Sequence, residues 1–140
     1  IIMDLEAHIE ALKALGAKKI VMVSPFEEAR NEERKRVLEG VGLRVVNMKG
    51  LGVQRRLDIQ KQPPYASYRL AKQAFLETPE ADAIYICCPE WPTVGYIEEL
   101  ECDVGRPVVS HTTGEVWAAL RAMHIKEPVK GYGRLLAELL

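Results

Sequence analysis

The run Ile20-Val21-Met22-Val23-Ser24-Pro25-Phe26-Glu27 holds the key to the architecture. Four consecutive apolar residues leave no polar side to show to water, as in a short strand covered on both faces. The run stops at Ser24-Pro25-Phe26-Glu27, a Ser-x-x-Glu capping box that is expected to open a charged helix reaching about Gly40. A buried strand that turns directly into a helix is the unit of a parallel sheet, because parallel neighbours must be joined by crossovers.

The pattern extends in both directions. Upstream, Leu5, Ile9, Leu12 and Leu15 recur at helical steps between an Asp4 cap and a Gly16 stop. Downstream, Leu43 to Met48 reads as a second strand, and Lys49 to Pro64, rich in glycine, charge and proline, as a long loop. Helix returns from Tyr68 through Leu76, and Ala81 to Cys88 is a third strand. Thr93 is expected to cap a helix containing Ile97 and Leu100, and Pro107 to Ser110 is a fourth strand. A second capping box, Thr112-Thr113-Gly114-Glu115, precedes Val116, Trp117 and Leu120, and Gly131 to Leu136 leads into a last helix. The expected fold class is α/β: a flavodoxin-like parallel sheet of about four strands with helices on both faces, residues 1–140 forming one domain.

Composition narrows the function. The chain has 140 residues, 48% apolar and 28% charged, with a net charge of −1. Lys and Arg are spread among Asp and Glu, so neither nucleic acid nor a membrane is an expected partner. No apolar run approaches the roughly 20 residues of a membrane span, and no signal peptide precedes the first helix. The expected setting is cytoplasmic, and the odd count of three cysteines fits reduced thiols. The chain opens on Ile1 rather than Met, which points to a missing upstream part.

In open parallel sheets, ligands bind beyond the carboxyl ends of the strands. Three predicted strands end there in polar or reactive groups: Ser24-Pro25-Phe26, Cys88-Pro89-Glu90 and Ser110-His111-Thr112-Thr113. Each is expected to feed a helix N-terminus, a setting that suits a small carboxylate and biases a thiol toward thiolate. Each feature also has a plain structural explanation, since Ser and Thr cap helices and free Cys is commonly buried. Strand alternation assigns Cys88 to the crevice and Cys87 to the core. His111 is either a proton carrier or an exposed loop histidine, and Glu90 either an acid or base beside Cys88 or a solvated turn residue. Trp117 belongs to the core. His8, His111 and His124 lie in different elements and no Cys-x-x-Cys occurs, so no metal is expected. Glycine-rich nucleotide motifs are absent as well.

An ordered series of motifs carries a family resemblance: Ser24-Pro25-Phe26 with Asn31, Ala81 to Cys88, Gly105-Arg106-Pro107-Val108-Val109-Ser110, Trp117-Ala118-Ala119-Leu120-Arg121, and Gly131-Tyr132-Gly133-Arg134-Leu135-Leu136. Together they resemble the C-terminal half of maleate cis-trans isomerases and arylmalonate decarboxylases, within the aspartate/glutamate racemase superfamily. The resemblance implies one half of a two-domain, pseudo-symmetric, cofactor-independent enzyme that acts on a small carboxylic acid. It further implies a cleft completed by an N-terminal half or a second chain, and a homo-oligomer. It makes Cys88 the catalytic cysteine, with Ser24, Phe26, Asn31, Glu90, Ser110, His111 and Thr112 as substrate-binding candidates. Of these, Ser24, Ser110 and Thr112 would hold carboxylate oxygens. Two residues depart from the family pattern. Phe26 stands where relatives have a Tyr hydroxyl, and Pro89 removes a backbone N–H just after the cysteine. The alternative is a carboxylate-binding or interaction domain that kept the fold without the chemistry.

Overall fold

The computed structural model describes residues 4–63 and 65–140. Its elements follow the order α1 (Asp4–Ala14), β1 (Lys19–Phe26), α2 (Glu28–Gly40), β2 (Arg44–Val53), α3 (Arg56–Ile59), α4 (Ala66–Glu77), β3 (Ala83–Ile86), a 3-10 turn (Val94–Tyr96), α5 (Ile97–Val104), β4 (Val108–Ser110), α6 (His111–Ala122) and α7 (Arg134–Glu138). The four strands form one parallel sheet in the order β2-β1-β3-β4. This is the expected α/β, flavodoxin-like arrangement.

The chain moves outward from β1 to β2 and then crosses back over β1 to β3. Right-handed crossovers therefore put α2 and α4 on opposite faces. α5 follows α4 onto its face and packs against it, while α1 packs on α6. Both faces are covered, which explains why Ile20, Val21, Met22, Val23, Ile84, Tyr85 and Ile86 are all fully buried. The reversal between β2 and β3 opens a crevice at the carboxyl ends of β1 and β3, where Phe26 and Cys88 lie. At the opposite end of the sheet, the Asp82 carboxylate accepts the backbone N–H groups of Lys18 and Lys19 at 3.0 and 2.8 Å.

Several local expectations are corrected. β1 runs on through Phe26, so Ser24 lies inside the strand and caps nothing, and α2 begins after Glu27 without a side-chain cap. The Ser24 hydroxyl instead accepts the Phe26 N–H at 3.0 Å and donates to Asn31 Oδ1, while Asn31 Nδ2 donates to the Phe26 carbonyl at 3.2 Å. The predicted box at Thr112 is displaced, because β4 passes into α6 without a spacer. Ser110 is the cap, and its hydroxyl and that of Thr113 bond each other's backbone N–H. Thr93 makes no cap, since a 3-10 turn separates it from α5. The predicted loop from Lys49 to Pro64 holds the outer half of β2 and the short α3 (Pro64 itself lies outside the described residues). β2 is an edge strand whose second half is partly exposed, so it carries no apolar pattern to read. Gly16 does end α1 in the left-handed region, at φ 75°.

A polar network links β3 to three helices. His8, fully buried on α1, contacts Tyr85 Oη through Nδ1 at 2.8 Å and the His111 carbonyl through Nε2 at 3.0 Å. A carbonyl only accepts, so Nε2 carries the proton and Nδ1 takes the Tyr85 O–H. Arg34 on α2 donates to the Tyr85 oxygen at 3.1 Å. Burial pulls His8 down to about 4 despite the opposing pull of Asp4, so the ring is neutral at pH 7.

Two predictions follow from this packing. A Cβ at Gly50 would lie 2.4 Å from Asn31 Nδ2 and 2.5 Å from the Phe26 carbonyl oxygen. Gly50→Ala is therefore expected to lower the urea-unfolding free energy by about 1–3 kcal/mol, and an unchanged midpoint would contradict the clasp. The His8 pKa is depressed on folding, so its contribution to stability is complete above the unfolded value of 6.5 and is lost as pH falls through about 4. Urea midpoints should decline across that window, and less steeply in His8→Gln.

Candidate active site

The crevice at the switch point contains a cavity of about 160 Å³ lined by Asp4, Phe26, Arg30, Arg34, Arg56, Cys87, Pro89, Glu90 and His111. It gathers the ends of β1 and β3, the first turns of α1 and α6, the first two turns of α2, and α3. A wider, largely apolar groove of about 470 Å³ lies on the other side of Pro89, between the 3-10 turn and Tyr65, and includes Trp91, Tyr96 and Thr112. The smaller cavity holds the ionisable groups. The larger one is lined by aromatic, proline and small residues, with no charged side chain.

Cys88 is buried, and its thiol donates to Glu90 Oε2 at 3.1 Å. Glu90 is in turn paired with Arg56 Nε and Nη2. Burial works against the Glu90 charge, but the Cys88 thiol and the Arg56 guanidinium outweigh it and hold the carboxyl below the usual range. The expected bias of Cys88 toward thiolate is overturned. Burial first, and then the Glu90 carboxylate, push the thiol from 9.0 up to about 12. The backbone N–H groups of Glu90 and Trp91 pull the other way without prevailing. The connection after β3 does not supply the expected helix N-terminus, since the next helical turn begins only at Val94. Of those two amides, that of Trp91 also donates to the Cys88 carbonyl at 3.4 Å.

The other candidates divide into two groups. Phe26, Glu90 and His111 line the small cavity, and Thr112 lines the groove. Ser24, Asn31 and Ser110 are buried, with their polar atoms spent inside the protein: the first two lock the β1–α2 turn and the third caps α6. As placed, they position their neighbours. His111 is buried rather than loop-exposed, with Nδ1 3.5 Å from Asp4 and Nε2 3.4 Å from Glu115. Both cysteines are buried, and the expected division between them is corrected: Cys87 borders the small cavity, whereas Cys88 lines neither the cavity nor the groove and reaches the site through its bond to Glu90. Burial raises the Cys87 pKa, against the pull of Arg34.

Sequence reading missed Asp4, His8, Arg30, Arg34 and Arg56. Asp4, His8 and His111 bring one potential ligand atom each to within 4.8 Å of the others, although no linear spacing announces them. Both ring nitrogens of His8 are already hydrogen bonded there. The arginines were hidden for another reason: Arg30 and Arg34 belong to a helix of almost unbroken charge, which reads as a solvated face.

Comparison with known proteins places this geometry in context. The maleate isomerase of Nocardia farcinica is 29% identical over 133 residues, covering 94% of this chain and 52% of that protein. The arylmalonate decarboxylase of Bordetella bronchiseptica is 27% identical over 133 residues, covering 94% and 55%. A solved structure of the Nocardia farcinica maleate cis-trans isomerase, a cysteine-to-serine mutant with a covalently bound succinylcysteine intermediate, superposes with a TM-score of 0.87 at 26% identity, covering 96% of this chain and 55% of that one. The chain thus spans about half the length of the curated relatives it matches. The sequence model of arylmalonate decarboxylases matches residues 3–136, and the chain belongs to the arylmalonate decarboxylase family.

Proposed function

We propose that this chain is the C-terminal half of a two-domain enzyme that acts, without a cofactor, on a small carboxylic acid through Cys88. The observation that carries the reading is the Cys88 thiol held 3.1 Å from Glu90 at the carboxyl end of β3, beside an arginine-lined cavity. A thiol, a carboxylate able to trade a proton with it and cations to hold an acid are the parts needed for chemistry at a carbon next to a carboxylate. Membership of a family whose named members are enzymes favours catalysis over a binding-only domain. The cavity would be completed by an N-terminal half or by a second chain. Three free cysteines, one of them exposed, support a cytoplasmic setting.

Two reactions fit the same parts. In a decarboxylase, loss of CO2 leaves its electron pair on the α-carbon as an enediolate, and the Cys88 S–H gives that carbon its proton. The thiolate is then reprotonated from solvent through Glu90. In an isomerase, Glu90 first takes the thiol proton and the sulfur adds to one carbon of the double bond, whose π pair moves into the adjacent carboxylate. Rotation about the resulting single bond and expulsion of the thiolate give the other isomer. The protonated resting state of Cys88 serves the first route directly. The Nocardia structure, with its covalent succinylcysteine, supports the second by analogy.

In the complete protein, Cys88→Ser should abolish turnover of maleate or of an arylmalonate while leaving the urea midpoint nearly unchanged, because serine keeps the bond to Glu90 without a thiol's reactivity. Cys87→Ser should keep its activity per folded molecule and lose about 1–3 kcal/mol of stability if the buried hydroxyl finds no partner. Retained turnover in Cys88→Ser would reject the assignment.

Alkylation by iodoacetamide, mapped to Cys88 by mass spectrometry, should be slow at pH 7.5 and rise with pH toward about 12, the reverse of an activated thiolate. Removing the neighbouring negative charge lowers the thiol pKa, so Glu90→Gln should react faster at a given pH. A slower reaction would mean that Glu90 already acts as base in the resting protein.

A further inference from the structure

The ring at position 26 leads to an unassigned binding residue. The Arg30 guanidinium lies over the Phe26 ring, with Cζ 3.8 Å from the ring centroid. The ring is itself fixed: Phe26 is buried, and its backbone is clasped by Ser24 and Asn31. A guanidinium stacked on an immobile ring keeps its edge N–H groups free in one plane, the geometry that a carboxylate accepts in a bidentate pair.

The other cavity arginines are engaged, Arg34 with the Tyr85 hydroxyl and Arg56 with Glu90. Among the described residues, Arg30 has neither an ion pair nor a side-chain hydrogen bond. Three arginines share the cavity lining with Asp4 and Glu90, leaving an excess of one positive charge on these five side chains. A cavity of about 160 Å³ with that balance suits one carboxylate group of a small acid.

We propose that Arg30, stacked on Phe26, receives a substrate carboxylate in this cavity. This deepens the enzyme reading, because it treats the cavity as a substrate site, but it makes a separate claim about binding. Phe26 then acts as a positioning residue and Arg30 as the contact.

Calorimetric titration of the complete protein with succinate, a saturated dicarboxylate with no double bond to isomerise, tests it, with neutral succinamide as the control. Succinate should bind the wild type in a salt-sensitive manner, and succinamide should bind far more weakly. Arg30→Gln should weaken succinate binding roughly 10- to 100-fold. Arg30→Lys should fall between the two, since it keeps the charge without the fork, and both variants should melt as the wild type does because Arg30 is exposed. Wild-type affinity for succinate in Arg30→Gln, or no succinate binding by the wild type, would overturn the assignment. The enzyme reading fails separately: Cys88→Ser should still bind succinate, so retained turnover in that variant with lost binding in Arg30→Gln would remove the catalytic cysteine and leave this site standing.

Discussion

The hydroxyl of Tyr85 must be satisfied where water does not reach. It lies in the middle of β3, and the side chain is fully buried. Its proton goes to His8 on α1, and its oxygen accepts from Arg34 on α2. His8 meets this demand only as the neutral tautomer that gives its other N–H to the His111 carbonyl at the start of α6. One phenol thereby sets the relative placement of three helices on the sheet. An apolar core tolerates small sliding of its helices, whereas a buried chain of directional bonds loses a partner when any member shifts. The cavity walls contributed by α1, α2 and α6 inherit that rigidity.

The same face explains why so many charges gather in a small volume. Arg34 is held by its bond to Tyr85, and its positive charge interacts with Cys87 and Asp4. Arg56 reaches in from α3 to Glu90, and Glu90 holds the Cys88 proton. The Cys88 proton is therefore held by burial first and by the Glu90 carboxylate second, and Arg56 bears on the second of these. The sheet supplies only the meeting place, the point where the chain reverses direction between β2 and β3.

The alternation of buried strand and amphipathic helix was legible because both faces of the sheet are covered, so Ile20 to Val23 and Ala83 to Ile86 show uninterrupted apolar runs. The outer half of β2 was not, since an edge strand half open to water has no period to display. Cys88, Phe26, Glu90 and His111 could be placed at one edge because each stands at or just beyond the carboxyl end of a strand. The roles of Ser24, Asn31 and Ser110 as internal fasteners were hidden, because a hydroxyl at a turn looks the same whether it points into a cavity or back at the chain. The arginines escaped for the opposite reason: on the charged surface of α2 nothing in the pattern separates Arg30 and Arg34 from their solvated neighbours, and only the cross-sheet contacts distinguish them.

The clasp of Ser24, Asn31 and Phe26 beneath Gly50 has an evolutionary consequence. Position 26 is not an independent site: its backbone is tied to residues 24 and 31, its ring supports residue 30, and its carbonyl leaves no room for a side chain at residue 50. Changes at these five positions will be strongly epistatic. A lineage replacing the phenyl ring here would lose the support of residue 30, so residues 26 and 30 would change more readily together than either alone. The pair 26/30 should therefore drift as a unit among sequences that keep a glycine at position 50.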